Sequence, residues 1–215
     1  YYAVSVFTDS ELTIRNSEIT ATATKNYGET AVYIDCSDAE ITDTTINSAS
    51  SGISIFGQYG DGKAAAAASA STYNTLSIQR SEIGAVVYAV ANNGAHHGTV
   101  IEIADSNIAA SVGTGIFHPG YGTLTVSGGS TVSGESGIEM RAGILTIKDE
   151  TVSVQATAKA FDATPSGNGN TLTGVAVGIS QHTTNLPVDV TLSEGTYSTA
   201  AADGYAFYEV DLQDN

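Results

Sequence analysis

Apolar residues recur along this chain in one short motif: apolar, any residue, apolar, then usually five positions to the next apolar residue. It appears as Leu12-Ile14-Ile19, Ala39-Ile41-Ile46, Leu76-Ile78-Ile83 and Ile101-Ile103-Ile108. It continues as Leu124-Val126-Val132, one residue longer, then as Leu145-Ile147-Val152 and Val190-Leu192-Tyr197. The first residues of these matches are spaced by 27, 37, 25, 23, 21 and 45 residues. A base period near 21–27, with insertions at 57–73 and around 160–174, accounts for every interval.

A second alternating stretch precedes each match: 31–35 (AVYID), 52–56 (GISIF), 85–89 (AVVYA), 115–117 (GIF), 137–141 (GIEMR) and 174–179 (GVAVGI). Residues 2–7 and 205–208 fill the same slot at the two ends. Alternation of apolar and polar positions is the period-2 signal of strands. Two or three short strands per repeat of this length predict an all-β chain, a right-handed parallel β-helix of about 7–8 coils. The whole of 1–215 is expected to form that single solenoid domain. A propeller blade needs four strands in about 40 residues, and a leucine-rich repeat needs an Asn-containing consensus that is absent. The one helix-prone stretch is 63–71 (KAAAAASAS), inside the first insertion, and is expected as a loop carrying at most one helical turn.

Charge narrows the partners. Seven Lys and Arg stand against 23 Asp and Glu, a net charge of −16. Such a field repels phosphate backbones and anionic bilayers, so neither nucleic acid nor membrane insertion is expected. No stretch approaches the roughly 20 apolar residues of a membrane-spanning helix. A single cysteine, Cys36, excludes an internal disulfide framework. Its alternation with Val32 and Ile34 predicts a small side chain on the core face.

Two segments, 136–147 (SGIEMRAGILTI) and 175–197 (VAVGISQHTTNLPVDVTLSEGTY), resemble pectin-lyase-like right-handed β-helices, above all the non-catalytic repeats of large bacterial surface proteins. The resemblance spans essentially the whole chain. It implies an extracellular or cell-surface location, and it specifies a fold rather than an activity.

Enzymes on such a fold need acid–base groups. Glycoside hydrolysis needs two facing carboxylates, yet the only adjacent acidic pair is Asp149-Glu150, in a turn. Lyase chemistry on uronates needs a strong base, and the chain has three arginines: Arg15, Arg80 and Arg141. Asp35, Asp38 and Asp43 gather near the second coil without the spacing of an EF-hand, so no cofactor is expected beyond weak surface Ca²⁺. The polar column that stands out lies in the loops joining the two strand columns: Tyr59, His96, His97, His118, Tyr121, Arg141 and His182. Rings beside imidazoles and a guanidinium suit glycan binding; three convergent imidazoles would suit a metal. Thr13, Ser77, Thr125, Thr146 and Thr191 form a hydroxyl column broken by Glu40 and Glu102, which argues against an ice-binding face.

The expected function is therefore a non-enzymatic structural or adhesive module of the cell surface; the alternative is a carbohydrate-active enzyme or glycan-binding module. Neither end has the pattern of a helical cap, and open solenoid ends pair with further coils or with another copy. Val4, Val6 and Phe7 at one end and Phe207 and Val210 at the other are the expected self-association residues, through which copies would join end to end into filaments.

Overall fold

The computed structural model describes residues 2–23, 29–57, 74–92, 98–164, 170–181 and 187–211. They form a right-handed parallel β-helix of seven three-stranded coils and one closing strand. Coil 1 runs Tyr2–Phe7, Glu11–Arg15, Glu18–Ala21, and coil 2 runs Thr30–Asp35, Asp38–Thr42, Thr45–Ser48. Coil 3 is Ser51–Phe56, Asn74–Gln79, Glu82–Ala85, and coil 4 is Tyr88–Asn92, Thr99–Ala104, Asn107–Ala110. Coil 5 is Thr114–His118, Gly122–Ser127, Thr131–Gly134; coil 6 is Ser136–Met140, Gly143–Ile147, Ser153–Ala156. Coil 7 is Val175–Gln181, Val188–Leu192, Thr196–Thr199, and Tyr205–Asp211 closes the stack. First strands make an eight-stranded sheet 1, and second and third strands make seven-stranded sheets 2 and 3.

The repeated motif straddles one corner of this solenoid. Its first two apolar residues lie on sheet 2 and its third on sheet 3, as with Leu76, Ile78 and Ile83. All point inward, where Ile41, Ile78, Ile103, Val126 and Ile147 stack in register and are sealed from water. Each such side chain contributes roughly 1.5–3 kcal/mol by leaving water.

The spacing between those residues is set by the turn. Asn16, Asp43, Arg80, Asp105 and Gly128 all take left-handed backbone conformations there, with φ of 48°, 51°, 46°, 51° and 61°. Asn, Asp and Gly tolerate this region best. Arg80 is the exception, and its guanidinium clasps Asp43 on the neighbouring rung at 2.8 and 2.9 Å. A hydroxyl follows in coils 1–5: Ser17, Thr44, Ser81, Ser106 and Ser130. Each donates to a carbonyl of its own turn, for example Ser81 to Gln79 at 2.8 Å. Those of Thr44, Ser81, Ser106 and Ser130 also accept the amide of the preceding coil, at 3.1–3.4 Å. This ladder satisfies buried backbone groups that the corner removes from the sheets. Gly129 is the extra residue of the fifth match.

Three expectations need correction. The stretch 85–89 is not a strand: it spans the end of Glu82–Ala85, a bend, and the start of Tyr88–Asn92. In coil 6 the residue in register with Val132 and Tyr197 is Val154, not Val152, because the turn after Ile147 is longer. Cys36 lies past the end of its strand, half-buried, at φ 50° in the corner, where its thiol donates to Gly57 O at 3.4 Å. Of the residues expected to join copies end to end, Val4, Val6 and Phe207 occupy core columns, and Phe7 and Val210 fall on the outward side, in register with Asp35 and Ser180. The candidate helix at 63–71 lies outside the described residues.

Candidate functional site

The outward side chains of sheet 1 differ from those of the other two sheets. On sheet 2 the central outward column reads Thr13, Glu40, Ser77, Glu102, Thr125, Thr146, Thr191, a polar ladder. Sheet 1 instead carries aromatic rings along its length. In coils 1–3 Phe7, Asp35 and Phe56 form one column and Ser5, Tyr33 and Ser54 the next. Tyr33 therefore sits diagonally between two phenylalanines, with centroids at 5.7 Å from Phe7 and 5.1 Å from Phe56. Tyr2 stacks on Tyr33 at 4.2 Å and 19°. Tyr2 and Phe7 are 42% and 50% exposed, while Tyr33 and Phe56 are half-buried. Four contiguous rings thus remain open to solvent, far above what scattered surface apolar residues present.

One acid lies inside this platform. Asp35 stands between Phe7 and Phe56, and its Oδ1 is shut off from water yet accepts no hydrogen bond. Orphaned buried acceptors are rare and costly.

In coils 4–7 the same face is closed by the protein itself. Tyr88 stacks on Phe117 at 4.8 Å, and the Arg141 guanidinium lies 5.0 Å from the Phe117 centroid. Arg141 Nε donates to Glu139 Oε1 at 3.1 Å in a pair only 6% and 0% exposed. Residues 170–173, the returning arm of the second insertion, strap across this pair. Thr171 donates its amide and hydroxyl to Glu139 at 2.9–3.1 Å, and its hydroxyl also meets that of Ser180 at 2.8 Å. The Asn170 amide donates to the Tyr88 hydroxyl at 3.2 Å, and Ser136 holds Leu172 O at 2.6 Å. Leu172 fills the space over Gly178, where a Cβ would collide with its Cδ1. Burial pushes the Glu139 carboxyl above its ordinary range, while Arg141 and Thr171 pull it back.

Of the polar column expected at the corner between sheets 1 and 2, three residues are described: His118, Tyr121 and Arg141. Tyr59, His96, His97 and His182 lie outside the described residues. Tyr121 is in that corner and half-buried. His118 is the last residue of its strand and points inward, in register with Met140, fully sealed. It shares the core with Asn92, whose amide nitrogen lies 3.0 Å from both His118 Nε2 and Thr99 Oγ1. The Asn92 Oδ1 accepts Gly120 N at 2.9 Å, and His118 Nδ1 lies 3.2 Å from Ala142 O. Those partners fix a neutral imidazole with its proton on Nδ1. Burial lowers its pKa from 6.5 to about 4. His118 and Arg141 are thus interior groups, because a two-residue alternation carries one into the core and the strap covers the other.

The acidic group around coil 2 is also dispersed. Asp38 accepts from the Thr75 amide and hydroxyl at 2.7 and 2.9 Å, and Asp43 is held by Arg80. Among the described residues no three His, Cys, Asp or Glu side chains converge as a metal site. Searches against protein-family models, curated proteins and solved structures find no match to this chain.

Proposed function

We propose that this chain is a rigid, non-enzymatic β-solenoid of the cell surface or extracellular space that adheres to glycan through the outer face of sheet 1. The observation that carries this reading is the open platform of Tyr2, Phe7 and Phe56 gathered around Tyr33, which each of the three rings meets, on one face over three coils. Aromatic rings offer apolar faces to the C–H faces of pyranoses at little entropic cost, because only two side-chain torsions are frozen. A stack of hydrogen-bonded coils keeps those rings in place before any ligand arrives, which removes an ordering cost from binding. The resemblance to the non-catalytic repeats of bacterial surface proteins supports the location.

The carbohydrate-active alternative draws nothing from Glu139 and Arg141, since both are buried beneath residues of the same chain. Stacking of a second copy on the C-terminal edge is disfavoured. Glu209, in register with Ile179, puts a carboxylate into a core column there, and inward charges on edge strands oppose further pairing.

The test is affinity electrophoresis through neutral, acidic and amino polysaccharides. At least one should retard the protein, and Tyr33→Ala should weaken that retardation at least about tenfold, the worth of one lost stacking contact. Equal mobility of the two proteins in every gel, or release of new reducing ends, would refute the reading.

A further inference from the structure

Resting on that reading, we infer that the platform selects an amino-bearing sugar, a pyranose carrying a free ammonium group, with Asp35 as its specificity-determining residue. Two observations converge. Asp35 interrupts the Phe7–Phe56 column, so a carboxylate whose Oδ1 has no hydrogen-bond donor lies between two rings of the platform. A pyranose ring laid on the rings can direct a substituent at that carboxylate. An ammonium there gains a charge-assisted hydrogen bond and the attraction of the flanking ring faces.

The charge balance points the same way. Seven basic against 23 acidic residues make uronates or sulfated glycans poor ligands and draw cationic ones toward the surface. Asp35 differs from the other acids of coil 2, because Asp38 is already engaged by Thr75 and Asp43 by Arg80. A sugar hydroxyl would also donate to the carboxylate, but an ammonium adds the Coulomb attraction between opposite charges to the hydrogen bond. The neighbours of Asp35 in its column, Phe7 and Phe56, offer it no hydrogen-bond donor.

Isothermal titration calorimetry on the full chain, in moderate salt and at mildly acidic pH where sugar amines are protonated, tests this with two probes. One is the glucosamine hexamer. The other is its fully N-acetylated counterpart, which keeps the ring faces and lacks the charge. The glucosamine hexamer should bind at least about tenfold more tightly. Asp35→Asn should abolish that preference while leaving the N-acetylated hexamer and the melting temperature unaffected. Tyr33→Ala should weaken both probes. Diffuse attraction to an acidic protein is separated by the same variant, since Asp35→Asn removes one of 23 acids and would then change almost nothing. Equal binding of both hexamers, or an Asp35→Asn protein that keeps the preference, overturns the inference. If Tyr33→Ala still weakens binding in that case, the glycan platform itself survives. No binding of either hexamer overturns the inference, and the polysaccharide gels then decide the broader reading.

Discussion

Arg141→Ala is expected to be among the most damaging single substitutions in this chain, costing about 3–5 kcal/mol. The charge it leaves behind is the reason. Glu139 is fully buried, and without the guanidinium only Thr171, among the described residues, offers donors to its carboxylate. The lost guanidinium also vacates the space over the Phe117 ring. For a chain of this length the loss corresponds to a fall in melting temperature of roughly 6–20 °C. Differential scanning calorimetry measures it. The paired variant Glu139→Gln with Arg141→Met should recover much of the loss, because replacing a buried ion pair by uncharged groups is often close to neutral. A single Arg141→Ala variant that melts with the wild type would show that the pair carries no structural weight.

The second large effect is a pH dependence centred on His118. Its imidazole is held neutral in the core, with a pKa lowered to about 4 against 6.5 in an exposed side chain. In the unfolded chain it takes up a proton near 6.5, and in the folded chain it does not until about 4. Stability from this group is therefore complete above pH 6.5 and is lost as pH falls from 6.5 toward 4. The loss should reach about 3 kcal/mol at pH 4. Glu139, raised by burial, works in the opposite sense as pH rises above the ordinary carboxylate range, so the two must be separated. The variant Asn92→Ile with His118→Ile restores an apolar column like Ile34 and Ile55 and keeps Glu139. Urea unfolding of both proteins at pH 7 and pH 4 gives the difference directly. The wild type should lose about 3 kcal/mol more than the variant, and equal losses would place the protonation elsewhere.

Much of the scaffold is legible from periodicity alone. Leu-x-Ile followed by Ile five residues on specifies two inward residues, a corner and a third inward residue, and the coils obey it wherever the corner keeps its length. The motif misplaces Val152 because the turn at Lys148–Thr151 is longer, a change that a spacing count cannot distinguish from a strand. The site was less accessible. Ile116 and His118 alternate, and that pattern points His118 inward, but Pro119 and Gly120 behind it suggest an open loop. Glu139 and Arg141 are likewise two apart on one outward face, a spacing that signals a local ion pair. What seals them, Thr171 and Leu172, lies about 30 residues away across an insertion, and no local pattern brings it near. The rings of the open platform are scattered singly through YAVSVF, TAVYID and SGISIF. Only the rung register assembles Tyr2, Phe7, Tyr33, Phe56 and Asp35 into one surface.

That surface is tested most directly by mapping where a glycan touches the protein. Hydroxyl-radical footprinting during titration with the glucosamine hexamer reports side-chain protection across all three sheets at once. Protection should concentrate on Tyr2, Phe7, Tyr33 and Phe56 and leave the hydroxyl ladder of sheet 2 unchanged. Protection confined to Tyr121 and the corner between sheets 1 and 2, or spread evenly over the solenoid, would contradict a binding face on sheet 1.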